Sequence, residues 1–122
     1  MKATEIKLGD YFLFKENPVR VCLVDDEVCV TANGEYIGAR VGDLSPAPLT
    51  SEILEKNGWH KQASNGEVQG WSNGHVKLYP QGEKFGGGFM FLYSGNAVQY
   101  IHHVHQLQHI LWSLGMDDDL KI

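Results

Sequence analysis

"VRVCLVDDEVCVTANGEYIGARV", Val19 to Val41, alternates apolar and polar residues around two turn signals, Asp25-Asp26 and Asn33-Gly34. Asn-Gly is the strongest short hairpin signal, because both residues tolerate the positive φ of a two-residue turn. Each turn sets a register of its own. A loop at 25–26 places Val21 against Val30 and Leu23 against Val28. A loop at 33–34 places Val30 against Ile37 and Val28 against Ala39. Directly opposed residues share a face, so Val21, Leu23, Val28, Val30, Ile37, Ala39 and Val41 gather on one side. The two turns agree.

Working towards the amino terminus, "YFLFKENPVRV" predicts a further strand returning through a Glu16–Val19 loop that contains Pro18. That register sets Phe14 against Val21 and Phe12 against Leu23, adding two aromatics to the apolar face. The opposite face carries Tyr36, Arg40, Glu27, Thr31 and the cysteines, with Glu27 across from Arg40 and Cys22 across from Cys29. Four tightly connected strands with one apolar face must curl or find a cover. The expectation for residues 1–50 is a small SH3-like antiparallel β-barrel with "DLSPAPLT" as its exit. Tyr36 and Arg40 are its candidate surface-binding residues.

Residues 51–122 read as helix, antiparallel meander, helix, so the expected class is α+β, as two subdomains or one compact domain. In "PLTSEILEKNGW", Thr50 can cap, Glu52 suits the positive end of the helix dipole and Gly58 follows as the stop. "KQASNGEVQ" reads as a polar loop. "QGWSNGHVKLYP" reads as a second Asn-Gly hairpin pairing Trp71 with Val76, and "GFMFLYSGNAVQYI" as two strands around Ser94–Asn96.

The last helix, expected over about 103–115, holds most of the residues that invite chemistry. Val104, Leu107, Leu111 and Leu114 form an apolar stripe at about 100° per residue. His102, His105 and His109 gather on the other side, as three imidazoles that could serve a metal-dependent enzyme. The usual three-histidine site draws its ligands from more than one element. The favoured expectation is therefore an outward polar stripe on a helix that closes the carboxy-terminal half. His105, Gln106, Gln108 and Trp112 are its candidate interface residues.

Elsewhere the chemistry is thin. "KFGGGF" leads into a strand rather than a helix amino terminus, so it lacks the form of a phosphate loop. There is no G-x-S-x-G elbow. The "DDD" at 117–119 lacks the spacing of a calcium loop. No catalytic residue and no cofactor is implied. With 10 basic against 15 acidic residues the formal net charge is −5, which disfavours phosphate-led nucleic-acid binding. A nucleic-acid accessory role for the barrel remains the first alternative. "MKATEIKLGD" has no apolar leader-like run and no stretch is long enough to span a membrane, so the expected setting is cytoplasmic. Two cysteines do not make a disulfide framework.

Two segments carry a resemblance. "PAPLTSEILEKNGW" resembles a "P-I-P-L-T-x-E-x-L-x-K-x-G-F" stretch, and "VHQLQHILWSL" resembles "V-H-Q-L-Q-N-L-Y-F-A-L". Both patterns belong to an uncharacterised family of small proteins common in Bacteroidota and in their phages and mobile elements. "IKLGDYF" is similar to that family's "L-R-I-G-N-Y-V". The resemblance implies no assigned activity. It marks Val104, His105, Gln106, Leu107 and Gln108 as the family-like part of the last helix, and the matching pattern has no histidine at positions 102 and 109. The combined expectation is a non-catalytic binding or adaptor protein of mobile-element type, working through a protein partner or a homodimer.

Overall fold

A computed structural model describes residues 6–24, 28–32, 35–64, 67–74, 76–82, 87–117, 120 and 122. The chain divides into two compact units. The first consists of the chain up to Pro48 together with Val104–Leu120, and the second of Leu49–His103. The second unit is thus inserted into the first, and the chain passes between them at 48–49 and again at 103–104.

In the first unit, β1 (Tyr11–Phe14), β2 (Asn17–Val24), β3 (Val28–Ala32), β4 (Glu35–Ala39) and β5 (Leu44–Pro46) form one antiparallel sheet in the order β4-β3-β2-β1-β5. The register read from the Asn-Gly hairpin holds: Val28 faces Ala39 and Val30 faces Ile37. Val21 also faces Val30, but a register shift between Val21 and Leu23 then sets Leu23 against Cys29. The two cysteines are consequently offset rather than paired across the ladder. The Glu27–Arg40 pair lies outside the described residues, as do both turns at 25–26 and 33–34.

The β1–β2 register differs from expectation by four residues. Phe12 faces Val19 and Phe14 faces Asn17, around a turn made by Lys15 and Glu16 alone. Both turn residues are left-handed, at φ 50° and 68°, the geometry of a tight hairpin turn normally given to Asn and Gly. Neither residue advertises that conformation, so the sequence pointed to a longer loop. Pro18 sits within β2 opposite Leu13, before the pairing with β3 begins at Arg20. A missing N–H is tolerated there because the strand has a neighbour on one side only. Shifting by an even number of residues preserves the faces, and Phe12, Val19, Val21, Val30, Ala39 and Leu44 still share one core with Ile6.

The expected barrel is not formed. Among the described residues β5 pairs with β1, so β4 and β5 remain as the two ends of an open sheet. The apolar face finds a cover instead of curling: α2 (Val104–Ser113) packs on β1, with the His105 ring stacked on Phe12 at 4.8 Å. The last helix therefore completes the first sheet, and the expected helix–meander–helix unit is replaced by a helical turn and a meander.

In the second unit, α1 (Ser51–Lys56) is six residues long. Thr50 caps it as expected, its hydroxyl accepting from Ile53 N at 3.3 Å. Gly58 ends it at φ +82° and Trp59 is buried directly after. The meander runs β6 (His60–Ser64), β7 (Glu67–Asn73), β8 (Val76–Pro80), β9 (Phe89–Tyr93) and β10 (Asn96–Ile101), each strand antiparallel to the next. The expected polar loop is in fact β6 and the start of β7. "HKQAS" shows no apolar alternation because an edge strand is held by backbone pairing alone. Trp71 faces Leu78 rather than Val76, and Leu78 faces Phe91. This is a two-residue difference, and it too keeps the face. Trp71, Leu78 and Phe91 form a buried row across three strands, each side chain contributing about 1.5–3 kcal/mol by burial.

The architecture is thus mostly β, two open five-stranded antiparallel sheets, with α2 the one long helix among the described residues. No helix of the described residues is long and apolar enough to cross a membrane.

Candidate functional site: the α2 edge of the first unit

Helical spacing divides α2 differently from the sequence reading. Val104, Leu107, Ile110 and Leu111 are buried as expected, but His105 and Gln108 are buried with them. Each of these two polar residues has a defined task. His105 lies against Phe12, and its ring meets that of His109 edge-on at 5.6 Å. Gln108 reaches the segment before β1: its Oε1 accepts from Tyr11 N at 2.9 Å and its Nε2 donates to Gly9 O at 2.9 Å. The side-chain amide acts as a strand-like partner for backbone groups that would otherwise be unpaired. Both side chains are buried and make contacts within the first unit. Gln106, the third amide candidate, is half-buried.

One turn on, the His109 Nε2 stands 2.6 Å from the Asp10 Oδ2. Asp10 is 1% exposed, and the same oxygen accepts from Lys7 N at 2.8 Å. Its backbone is held as well, since Val21 N donates to Asp10 O at 2.9 Å. A buried carboxylate that orients a half-exposed imidazole is the pairing hydrolases use to steer a general base. A nucleophile from the protein, or a water that the imidazole activates, would complete such a site. Cys22 and Cys29 are free thiols in β2 and β3, and the Cys22 Sγ donates to the Cys29 carbonyl at 3.2 Å. Burial, together with the neighbouring Cys29 thiol, holds Cys22 above the ordinary thiol range. Such a group stays protonated at neutral pH, the opposite of an activated cysteine.

Of the three histidines considered as ligands, His105 and His109 come together on α2, while His102 belongs to the second unit. Among the described residues no group of three or more His, Cys, Asp or Glu is placed to hold a metal ion. In the second unit His102 lies close to Gly88, whose missing Cβ would fall 2.5 Å from its Nδ1. That contact explains one residue of the "GGG" run, because any side chain there would collide. Asp117 is exposed, and Asp118 and Asp119 lie outside the described residues.

Trp112 is the exposed member of the helix. It is 62% exposed, and the Lys7 Nζ lies 4.1 Å from the centre of its ring. No hydrogen-bond acceptor among the described residues reaches that ammonium group, so the indole face is its main partner. Leu8, the next residue, is 61% exposed, and Leu114 is also exposed. Trp112, one of the candidate interface residues, is the largest apolar side chain the helix presents.

On the sheet of the first unit, Tyr36 is exposed opposite Thr31, and Arg40 donates its backbone N–H to Asp43 Oδ2 at 3.4 Å. Arg40 and Asp43 line a cleft of about 210 Å³ with Gly38 and Ala39. A second cleft of about 480 Å³ is walled by Phe14, Lys15, Glu16, Asp43 and Ser45. Sequence reasoning missed this one, because it depends on the left-handed Lys15–Glu16 turn.

Compared with models of known protein families, with curated proteins and with solved structures, the chain matches none.

Proposed function

We propose that this chain is a non-catalytic binding protein whose contact surface is the carboxy-terminal end of α2, with Trp112 as its anchor and Lys7 and Leu8 beside it. The observation that carries this reading is the exposure of Trp112, 62%, on a helix whose other large apolar residues up to Leu111 are buried. Tryptophan is over-represented among residues that dominate binding energy, and a fixed neighbouring cation limits the order lost on docking. Of the histidines that suggested a metal-dependent enzyme, His105 is stacked on Phe12 and His109 is paired with Asp10, contacts that hold α2 in the first unit. The resemblance of "VHQLQHILWSL" and "PAPLTSEILEKNGW" to a phage and mobile-element family fits a role with a protein partner encoded nearby.

The test is affinity purification of the full chain from a host that carries it, with Trp112→Ala run in parallel. Circular dichroism and thermal unfolding should be unchanged, since the side chain is largely in solvent. A partner retained by the parent chain and lost at least about tenfold by the variant supports the reading. The same proteins retained equally by both chains would overturn it.

A further inference from the structure

Lysine ordinarily keeps its charged head in water while its stem covers apolar surface. Lys7 does the reverse. Its side-chain nitrogen is buried, and no acceptor among the described residues reaches it. Asp10 is close in the chain, but its Oδ2 takes Lys7 N at 2.8 Å and faces His109 Nε2 at 2.6 Å, and the ammonium group is left to the ring of Trp112 at 4.1 Å. A ring face offsets only part of what a cation loses on leaving water. A leucine or methionine at position 7 would pack on the same indole without that loss. The charge is accounted for once an anionic group answers it.

The cover over this cation is movable. Trp112 is the second-last residue of α2 and 62% exposed, and exposed side chains change rotamer within nanoseconds. Turning the indole aside uncovers that side of the ammonium group. We infer that Lys7 gives the Trp112 surface its specificity: its ammonium group takes the carboxylate of an aspartate or glutamate in a segment of a partner protein, while apolar neighbours of that residue rest on Trp112 and Leu8. This rests on the docking surface proposed above and names the chemistry of its occupant. The surroundings select a peptide carboxylate over a polyanion. Nucleic acid is held by many cations at once, whereas Lys7 is bordered by the exposed Leu8 and Trp112 in a chain of net charge −5. A single charge flanked by apolar groups is matched by an acidic residue with apolar neighbours.

The experiment selects random phage-displayed peptides on the full chain and measures the selected peptides on Trp112→Ala and Lys7→Gln. The expected peptides carry Asp or Glu next to large apolar residues. Their binding should fall at least about tenfold in both variants, and as much when the acidic residue of the peptide is changed to its amide. That last measurement uses the parent chain, so it stands should Lys7→Gln fail to fold. Trp112-dependent peptides that bind as well after the amide exchange, or as well to a folded Lys7→Gln, overturn this inference and leave the docking surface in place. A selection without any Trp112-dependent peptide removes the docking surface itself, and this inference with it. A DNA duplex that displaces the peptides at equal concentration would assign the site to phosphate and overturn it.

Discussion

The imidazole of His109 stands 2.6 Å from the carboxylate of Asp10, a residue 99 positions earlier in the chain. The contact binds the last helix to the segment that precedes the first strand. Because the carboxylate is buried and the ring is 29% exposed, the pair falls between a surface bridge and a fully buried one. Asp10→Asn keeps the shape but removes the charge, and also weakens the acceptor for Lys7 N. It should lower stability by about 1–3 kcal/mol, measured as a shift of the urea midpoint at unchanged slope. An unchanged midpoint would mean that the pair contributes nothing to holding α2.

Gln108→Leu tests the amide strut. The apolar side chain is similar in size, yet it leaves Tyr11 N–H and Gly9 C=O without their partner. Two orphaned, partly buried backbone groups cost about 2–4 kcal/mol together. Gln108→Glu should be milder at the Tyr11 side and worse at the Gly9 side, where a carboxylate would face a carbonyl. Comparing both variants by thermal unfolding separates loss of packing from loss of hydrogen bonds.

Gly88→Ala should be among the most damaging changes to the second unit. At φ +74° an L side chain is strained, and its Cβ would fall 2.5 Å from His102 Nδ1 and 2.7 Å from Ile101 O. Strain and overlap together should cost about 2–4 kcal/mol. Gly87→Ala has the same backbone strain but meets no neighbouring atom, so it should cost less. Equal effects of the two would remove the role assigned to the His102 contact.

Cys22 gives a prediction with a definite sign in pH. Its thiol is raised in the folded chain, so the folded state holds that proton where the unfolded chain has released it. The stabilisation is complete below the unfolded thiol value and is lost as pH rises above about 8.5. Stability measured from neutral pH upward should therefore decline, and Cys22→Ser should flatten that decline. Thiol labelling of the folded protein near pH 7 should be slower at Cys22 than in a denatured control.

How far the sequence could be read depended on what each element requires of its residues. Faces were legible almost everywhere, since period-two alternation survives any slip of an even number of residues. That is why Trp71, Val76 and Leu78 share a face although Trp71 pairs with Leu78. Registers failed where the turn gave no signal, as at Lys15–Glu16, which occupy left-handed conformations without being Gly or Asn. β6 was invisible because a polar edge strand leaves no apolar pattern. Barrel closure was inferred from the first 50 residues alone, and the cover supplied by α2 lay beyond them. The last helix was found, but its periodicity misassigned His105 and Gln108. Spacing shows which side a residue is on, and a strand edge in need of hydrogen bonds can make the polar side the inner one.

The insertion of one unit into the other orders the events of synthesis. The ribosome releases the first five strands long before Gln108 and His109 exist, so the early sheet waits with Phe12 uncovered and Asp10 without its imidazole partner. The inserted meander can mature in the interval, as a unit whose residues are contiguous in the chain. A nascent chain halted before residue 104 would hold that finished meander beside a half-built neighbour, and the risk of aggregation during translation should be greatest there.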